Sequence, residues 1–222
     1  MLLLEQLLNG LQYSALLFLL ASGLTLIFGI MGVINLAHGA FYMVGAYCAA
    51  FTAMTTGSFW LGALAALAGA ACYGLIIETA IIRRLYNRDH LDQVLATLAV
   101  VFFSNELITL LFGRSPPSMP TPDWYNAFVE VLPGLMYPVS RLLFIAAGIV
   151  VALAMWLLIN HTRLGMLIRA GADDHEMVGA LGVNISRLYT LVFVFGCVLC
   201  GLAGFMAAPL PVSYTHLTLP TI

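Results

Sequence analysis

Between Leu11 and Met54 the chain is almost wholly apolar, and one stretch breaks the run: Gly29-Ile30-Met31-Gly32-Val33-Ile34-Asn35-Leu36-Ala37-His38-Gly39. Three glycines, an asparagine and a histidine stand where a helix dissolved in hydrocarbon would carry only oily side chains. Hydrocarbon offers backbone N–H and C=O groups no water, so irregular chain at that depth persists only when buried in protein or facing a wet cavity. This break restricts the possible folds more than the apolar runs around it, and it is the first place to look for a pathway or binding site.

The membrane setting follows from composition. Of 222 residues, 62% are hydrophobic and only 8% charged, with a mean hydropathy of +1.02. A soluble domain carries roughly 25% charged residues, and no soluble core could hide this much apolar surface. At about 20 residues per crossing, the chain has room for about six spans. The expected fold is an all-α polytopic transmembrane helix bundle with one discontinuous span. Helices are expected over Gly10–Ile30, Ala40–Thr56, Trp60–Ile82, Leu91–Phe112, Leu142–Ile159 and Leu188–Ala208, with a short apolar lead-in at Met1–Leu8.

The N-terminus lacks a basic n-region and an A-x-A-like cleavage site, so its apolar run reads as the first membrane helix and not as a removable signal peptide. From Gly113 to Arg141, six prolines rule out a continued helix, and Trp124 and Tyr125 suit a membrane–water interface. Pro211–Ile222 has neither helical periodicity nor charge. It is expected to be a non-native tail, leaving residues 1–210 as one transmembrane domain that is incomplete at its C-terminal end.

All eight basic residues are arginines, too sparse for a nucleic-acid surface. Arg83, Arg84 and Arg88 share one short loop, and Arg163, Arg169 and Arg187 another. The segment between holds Arg114 and Arg141 at its edges, with Asp123 and Glu130 inside. The positive-inside rule puts the two richer loops in the cytoplasm, and counting back three crossings puts the N-terminus outside. Cys48, Cys72, Cys197 and Cys200 all lie in apolar runs. The CxxC of Cys197 and Cys200 has no βαβ context and reads as small-residue packing. No disulfide, metal site or cofactor is expected.

If a helix starts near Asn35, then Asn35, His38 and Tyr42 share one face, with Asn35 as its cap. A half-helix N-terminus at membrane depth presents free N–H groups and a positive dipole end. Gly29, Gly32, Asn35, His38, Gly39 and Tyr42 are therefore candidate path or gate residues. The alternative is that Asn35 and His38 only satisfy neighbouring backbone.

A second stretch runs Arg169-Ala170-Gly171-Ala172-Asp173-Asp174-His175-Glu176-Met177-Val178-Gly179-Ala180-Leu181-Gly182-Val183-Asn184. Asp173 and Glu176 form a capping-box-like start, Met177, Val178 and Leu181 an apolar stripe, and Gly182 a stop. This is a two-turn amphipathic helix that wants a partner's groove. Its acidic start argues against the negative inner leaflet as its resting place.

Gly62, Ala66, Ala70 and Gly74 form one small-residue row, and Gly196, Cys200, Gly204 and Ala208 another, as close helix packing in lipid requires. Glu78 is a carboxylate near the cytoplasmic end of its helix, and Glu106, beside Ser104 and Asn105, one near the outer end of its own. Glu78 could pair with Arg83 or reach water. A carboxylate at such depth is a candidate functional group, and the plain alternative for both acids is that they are solvated or paired near an interface.

The run Gly23 to Tyr47, centred on Asn35-Leu36-Ala37-His38-Gly39, resembles the permease subunits of branched-chain amino-acid ABC importers. The run Arg169 to Asn184 resembles the same family's cytoplasmic coupling loop. The resemblance spans Met1 to Leu210. It implies an inner-membrane permease without an ATPase site of its own, moving hydrophobic amino acids inward by alternating access. It also implies as partners a second permease subunit, two cytoplasmic ATPase subunits and an external solute-binding protein. Asp173, Asp174, Glu176, Met177, Val178, Leu181 and Gly182 would form the ATPase-coupling helix. Urea and short-amide importers share the Asn-Leu-Ala-His-Gly-type stretch and remain open. So do two readings outside this class: an ion-coupled transporter or channel using Glu78 and Glu106, and a membrane scaffold.

Overall fold

The computed structural model describes residues 2–86, 88–113, 118–132 and 135–209. Among them are eight α-helices: α1 (Leu2–Met31), α2 (His38–Thr56), α3 (Phe59–Ala80), α4 (His90–Phe112), α5 (Val139–His161), α6 (Arg163–Asp173), α7 (His175–Ala180) and α8 (Ile185–Ala207). Five of them, α1, α3, α4, α5 and α8, are long and apolar enough to cross a membrane. The all-α polytopic bundle is therefore present. α2 is not among the five; its 19 residues carry a histidine and several tyrosines and threonines.

α8 stands at the centre. About 61% of its most apolar window is buried, against 17–33% for the other four spans. Lipid tails are as apolar as leucine, so helices in a bilayer associate by close backbone packing at small residues. The glycines of α8 show this directly. A Cβ on Gly201 would stand 2.6 Å from the Ala70 Cβ of α3, and one on Gly196 would stand 2.7 Å from Ile27 of α1. A Cβ on Gly204 would fall onto the Tyr42 carbonyl of α2. On the facing helices, a Cβ on Gly45 would come within 2.6 Å of the Gly201 Cα, and one on Gly74 within 2.5 Å of Cys197 Sγ. Ala66, Ala70 and Gly74 are buried on the α3 side of this seam and Gly196, Cys200 and Gly204 on the α8 side, while Gly62 is buried against Ala49 and Ala53 of α2. Ala208 lies just past the end of α8 and is half-buried.

These contacts also set direction. Asn9 of α1 accepts hydrogen bonds from Tyr137, two residues before α5, and from Arg141 in its first turn, and Gly148 lies against Ala15, so α1 and α5 run parallel. α2, α4 and α8 run the other way. One end of the bundle collects the α1–α2 connection, the α3–α4 linker, α6 and α7. The opposite end collects the α2–α3 turn and residues 118–138.

Four expectations need correction. α1 is a single helix of 30 residues, with no separate lead-in and no start at Gly10. Nothing at Gly10 breaks it, and Asn9 is satisfied by α5. The proline-rich segment is not plain loop. It holds a 3₁₀ turn at Asp123–Asn126 and an antiparallel hairpin of β1 (Phe128–Leu132) and β2 (Leu135–Pro138), with a register shift between Glu130 and Leu132. Prolines stop the helix, but the backbone still needs partners and the hairpin supplies them. Trp124 then stacks on Trp60 of α3, ring centroids 6.2 Å apart.

The hydrophilic stretch holds two helices where one was expected. Thr162 opens α6, its Oγ1 accepting from the Gly165 N–H at 3.0 Å. Asp174, not Asp173, caps α7, its Oδ1 accepting from the Met177 N–H at 2.9 Å, while Asp173 closes α6. The discontinuity, finally, follows α1 and does not lie within it: the helix is unbroken to Met31 and the chain turns at Gly32. The tail, 211–222, lies outside the described residues.

Replacing Gly204 with valine puts bulk where the α2 backbone stands, and overpacking of this kind costs about 1–3 kcal/mol. Unfolding in detergent, followed by helical circular dichroism, should show that loss. Gly10→Ala, with nothing within 4 Å of the new methyl, should be neutral or stabilising.

Candidate functional site

The polar stretch is a re-entrant connection. α1 is itself continuous to Met31. Gly32 then turns the chain with φ +61°, a conformation natural to glycine, and its N–H donates to the Phe28 carbonyl at 2.9 Å. Residues 32–37 run back into the bundle along α4. The Ile34 N–H donates to Gln93 Oε1 at 3.3 Å, and the Leu36 N–H to Thr97 Oγ1 at 3.3 Å, one α4 turn deeper. α2 therefore begins inside the bundle. Its first residue, His38, places its ring beside the Leu20 carbonyl of α1, about three turns back from the end of that helix.

Asn35 does not cap α2. Its Oδ1 accepts from the Ala37 N–H at 3.0 Å in a local turn, and Ala37 occupies the cap position without a side-chain bond. The reason is geometric: the chain is still turning at Asn35, so the helix starts three residues later. Asn35 and His38 are both buried and Tyr42 half-buried, but only His38 and Tyr42 share a helical face. Gly29, Gly32 and Gly39 are exposed, with open space where a Cβ would stand.

His38 sits in a slot made by two glycines. A Cβ on Gly23 would lie 3.1 Å from the ring and 2.7 Å from the Gly196 carbonyl. His38 Nε2 lies 3.0 Å from the Leu20 carbonyl and 2.8 Å from Cys200 Sγ. A carbonyl can only accept, which assigns the proton to Nε2 and leaves Nδ1 with a free lone pair. That Nδ1 and the Asn35 amide Nδ2 are buried without a hydrogen-bond partner. An acceptor and a donor are thus left open beside the re-entrant turn. Buried polar atoms are rarely left so without cause.

Three residues of this site escaped the reading of the sequence. Gln93 is 3% exposed and its side chain makes four polar contacts: Oε1 accepts from the Ile34 N–H and lies 3.4 Å from His90 Nδ1, and Nε2 donates to the Leu85 and Arg88 carbonyls of the α3–α4 linker. Thr97 is fully buried. The signal was there, since Gln93, Thr97 and Ser104 form a polar stripe at helical spacing in an apolar helix. Cys200 was read only as packing, yet its sulfur meets the imidazole.

Glu78, at the same end, is 0% exposed and accepts from Arg83 Nη2 at 3.2 Å and from the Tyr86 hydroxyl at 2.6 Å. Burial, then the Glu78 carboxylate, pushes the Tyr86 phenol up from its ordinary value, so it stays protonated as a donor. Glu106 is exposed on α4.

The predicted coupling residues lie at this end too. Met177 is 64% and Leu181 79% exposed, Val178 is buried, Asp173 and Asp174 are exposed, and Gly182 ends the turn with φ +89°. The Glu176 side chain lies outside the described residues. A polar cavity of about 300 Å³ lies between the last turn of α1 (Phe28–Gly32), Tyr86, Tyr189 and Gly171–Ala172 of α6. Among the described residues, no group of three or more His, Cys, Asp or Glu could hold a metal ion.

The family described as branched-chain amino acid transport system / permease component matches residues 6–218. The chain belongs to this family. It is therefore a multi-pass membrane permease of a transport family, not a member of an enzyme family. The match runs past residue 210, the boundary drawn from the sequence. The chain is 29% identical over 215 residues to the high-affinity branched-chain amino acid transport system permease protein LivH of Escherichia coli (strain K12), covering 91% of this chain and 70% of that protein. It is 30% identical, with the same coverage, to BraD of Pseudomonas aeruginosa. A probable LivH of Methanocaldococcus jannaschii is 26% identical over 86% of this chain and 62% of its own length. No solved structure is a significant match.

Gln93→Leu strands the Ile34 N–H and two linker carbonyls, at about 1–3 kcal/mol for each group that finds no water. Thr97→Val strands one N–H. Denaturant unfolding in detergent should rank wild type above Thr97→Val and Thr97→Val above Gln93→Leu. Equal stability of all three would mean that α4 does not hold the connection.

Proposed function

We propose that the chain is a permease subunit of an ATP-driven importer that carries branched-chain amino acids across the inner membrane by alternating access. Its N-terminus would lie outside, and the Arg83–Arg88 and Arg163–Arg187 loops in the cytoplasm. It would work with a second permease subunit, two cytoplasmic ATPase subunits that hydrolyse the ATP, and an external solute-binding protein.

One observation carries this reading best. The re-entrant connection that leads to α2, with its open polar atoms on Asn35 and His38, enters from the end of the bundle where α6 and α7 lie. The polar cavity borders both the last turn of α1 and α6. ATPase closure against the exposed Met177 and Leu181 would shift α6 and α7, and the connection beside them is the gate that would respond. Gly29, Gly32, Asn35, His38, Gly39 and Tyr42 form or flank that gate. Buried His38 and Asn35 supply its polar contacts, and the exposed glycines its freedom to turn.

Two measurements test the proposal. The complex, reconstituted with its partner subunits in vesicles, should take up labelled leucine when ATP is supplied, and excess unlabelled isoleucine or valine should compete. Competition by urea instead would move the substrate to the amide class. No ATP-driven uptake of either would sink the importer reading. Separately, Met177→Asp with Leu181→Asp should weaken capture of the ATPase subunits by tenfold or more, since exposed apolar anchors dominate interface energy. Undiminished capture would remove α7 from the coupling contact.

A further inference from the structure

Glu78 stands at one end of a continuous series of bonds that reaches the start of α2. Its carboxylate accepts from Tyr86 and from Arg83, both in the α3–α4 linker. Arg83 Nη2 also donates to Thr190 Oγ1 of α8 at 2.9 Å, and the Tyr86 ring meets Tyr189 edge-on at 5.2 Å. The linker carbonyls of Leu85 and Arg88 accept from Gln93 Nε2, and Gln93 Oε1 accepts from the Ile34 N–H. Tyr86 and Tyr189 wall the cavity whose remaining sides are the end of α1 and the Gly171–Ala172 turn of α6. One buried carboxylate thus ties α3 to α8 through Arg83, and to the re-entrant connection through the linker and Gln93.

Glu78 is buried while the Arg83 side chain is 44% exposed. An ion pair on a buried carboxylate is weak evidence of a stability role, because apolar residues of similar volume often serve stability as well or better. What such a pair does well is hold one register between elements.

We infer that Glu78 is a positioning residue for transport: it holds the start of α8, the α3–α4 linker and the 32–37 connection as one body, so that displacement of α6 is delivered to the start of α2. This rests on the importer reading above. Glu78 touches no solute in this role and acts through Tyr86, Arg83 and Gln93.

The test uses the reconstituted complex with Glu78→Gln, which keeps shape and removes charge. Losing a hydrogen bond to a charged group should speed amide exchange in residues 32–37 by about tenfold, read by mass spectrometry, with α5 unchanged. Solute taken up per ATP hydrolysed should fall severalfold while hydrolysis persists. In Glu78→Leu with Arg83→Leu, an apolar pair should restore the amount of folded protein but not the uptake per ATP.

Unchanged exchange in 32–37, an equal fall of uptake and hydrolysis, or recovered uptake per ATP in the double variant would each overturn the assignment. Should Glu78→Gln fail to fold, Tyr86→Phe removes one bond only and must still speed exchange in 32–37. The exchange arm is independent of transport. A wild-type complex without ATP-driven uptake would overturn the importer reading and leave exchange to judge Glu78.

Discussion

Close contact of backbone on backbone along α8 is the interaction on which the rest of this bundle depends. In lipid no hydrophobic force draws helices together, so association must come from dispersion, and dispersion falls off within fractions of an ångström. Gly196, Gly201 and Gly204 bring α8 against α1, α3 and α2, each at a distance that a single methyl group would close. The functional geometry inherits this spacing. The slot for the His38 ring exists because Gly23 and Gly196 meet there without side chains, and Cys200 reaches the imidazole from the same seam.

The second constraint is the polar backbone that the re-entrant connection brings inside. Its N–H groups find Gln93, Thr97 and Asn35, while the carbonyls of the neighbouring linker find Gln93. Satisfying them from α4 and not from water makes the connection a definite structure and ties its position to the α3–α4 linker. Glu78 is held by Arg83 and Tyr86, while Glu106 is exposed on α4.

The boundary between the two kinds of information is visible at particular residues. The oily runs, the glycine rows on α3 and α8, the polar break, the two arginine-rich loops and the pairing of Glu78 with Arg83 were all legible in the sequence. Each follows from local composition or from spacing along one helix. So did Gly182 as a helix stop, because a positive φ is a local demand. Asn35 shows where local reasoning fails: its type suits a cap, yet Ala37 takes that position because the path of the connection along α4 delays the helix. Asp173 and Asp174 are equally good caps by type, and only the end of α6 chooses between them.

Composition and periodicity alone determined that this chain is a membrane bundle and that residues 29–39 would need unusual support. They did so because transfer from water to lipid acts residue by residue. Tertiary structure alone decided who gives that support. Gln93 lies 59 residues from Ile34, and Cys200 lies 162 residues from His38. Contacts at such separations leave no periodic trace in a single sequence, because they are set by how whole helices cross and by how closely their glycines let them approach.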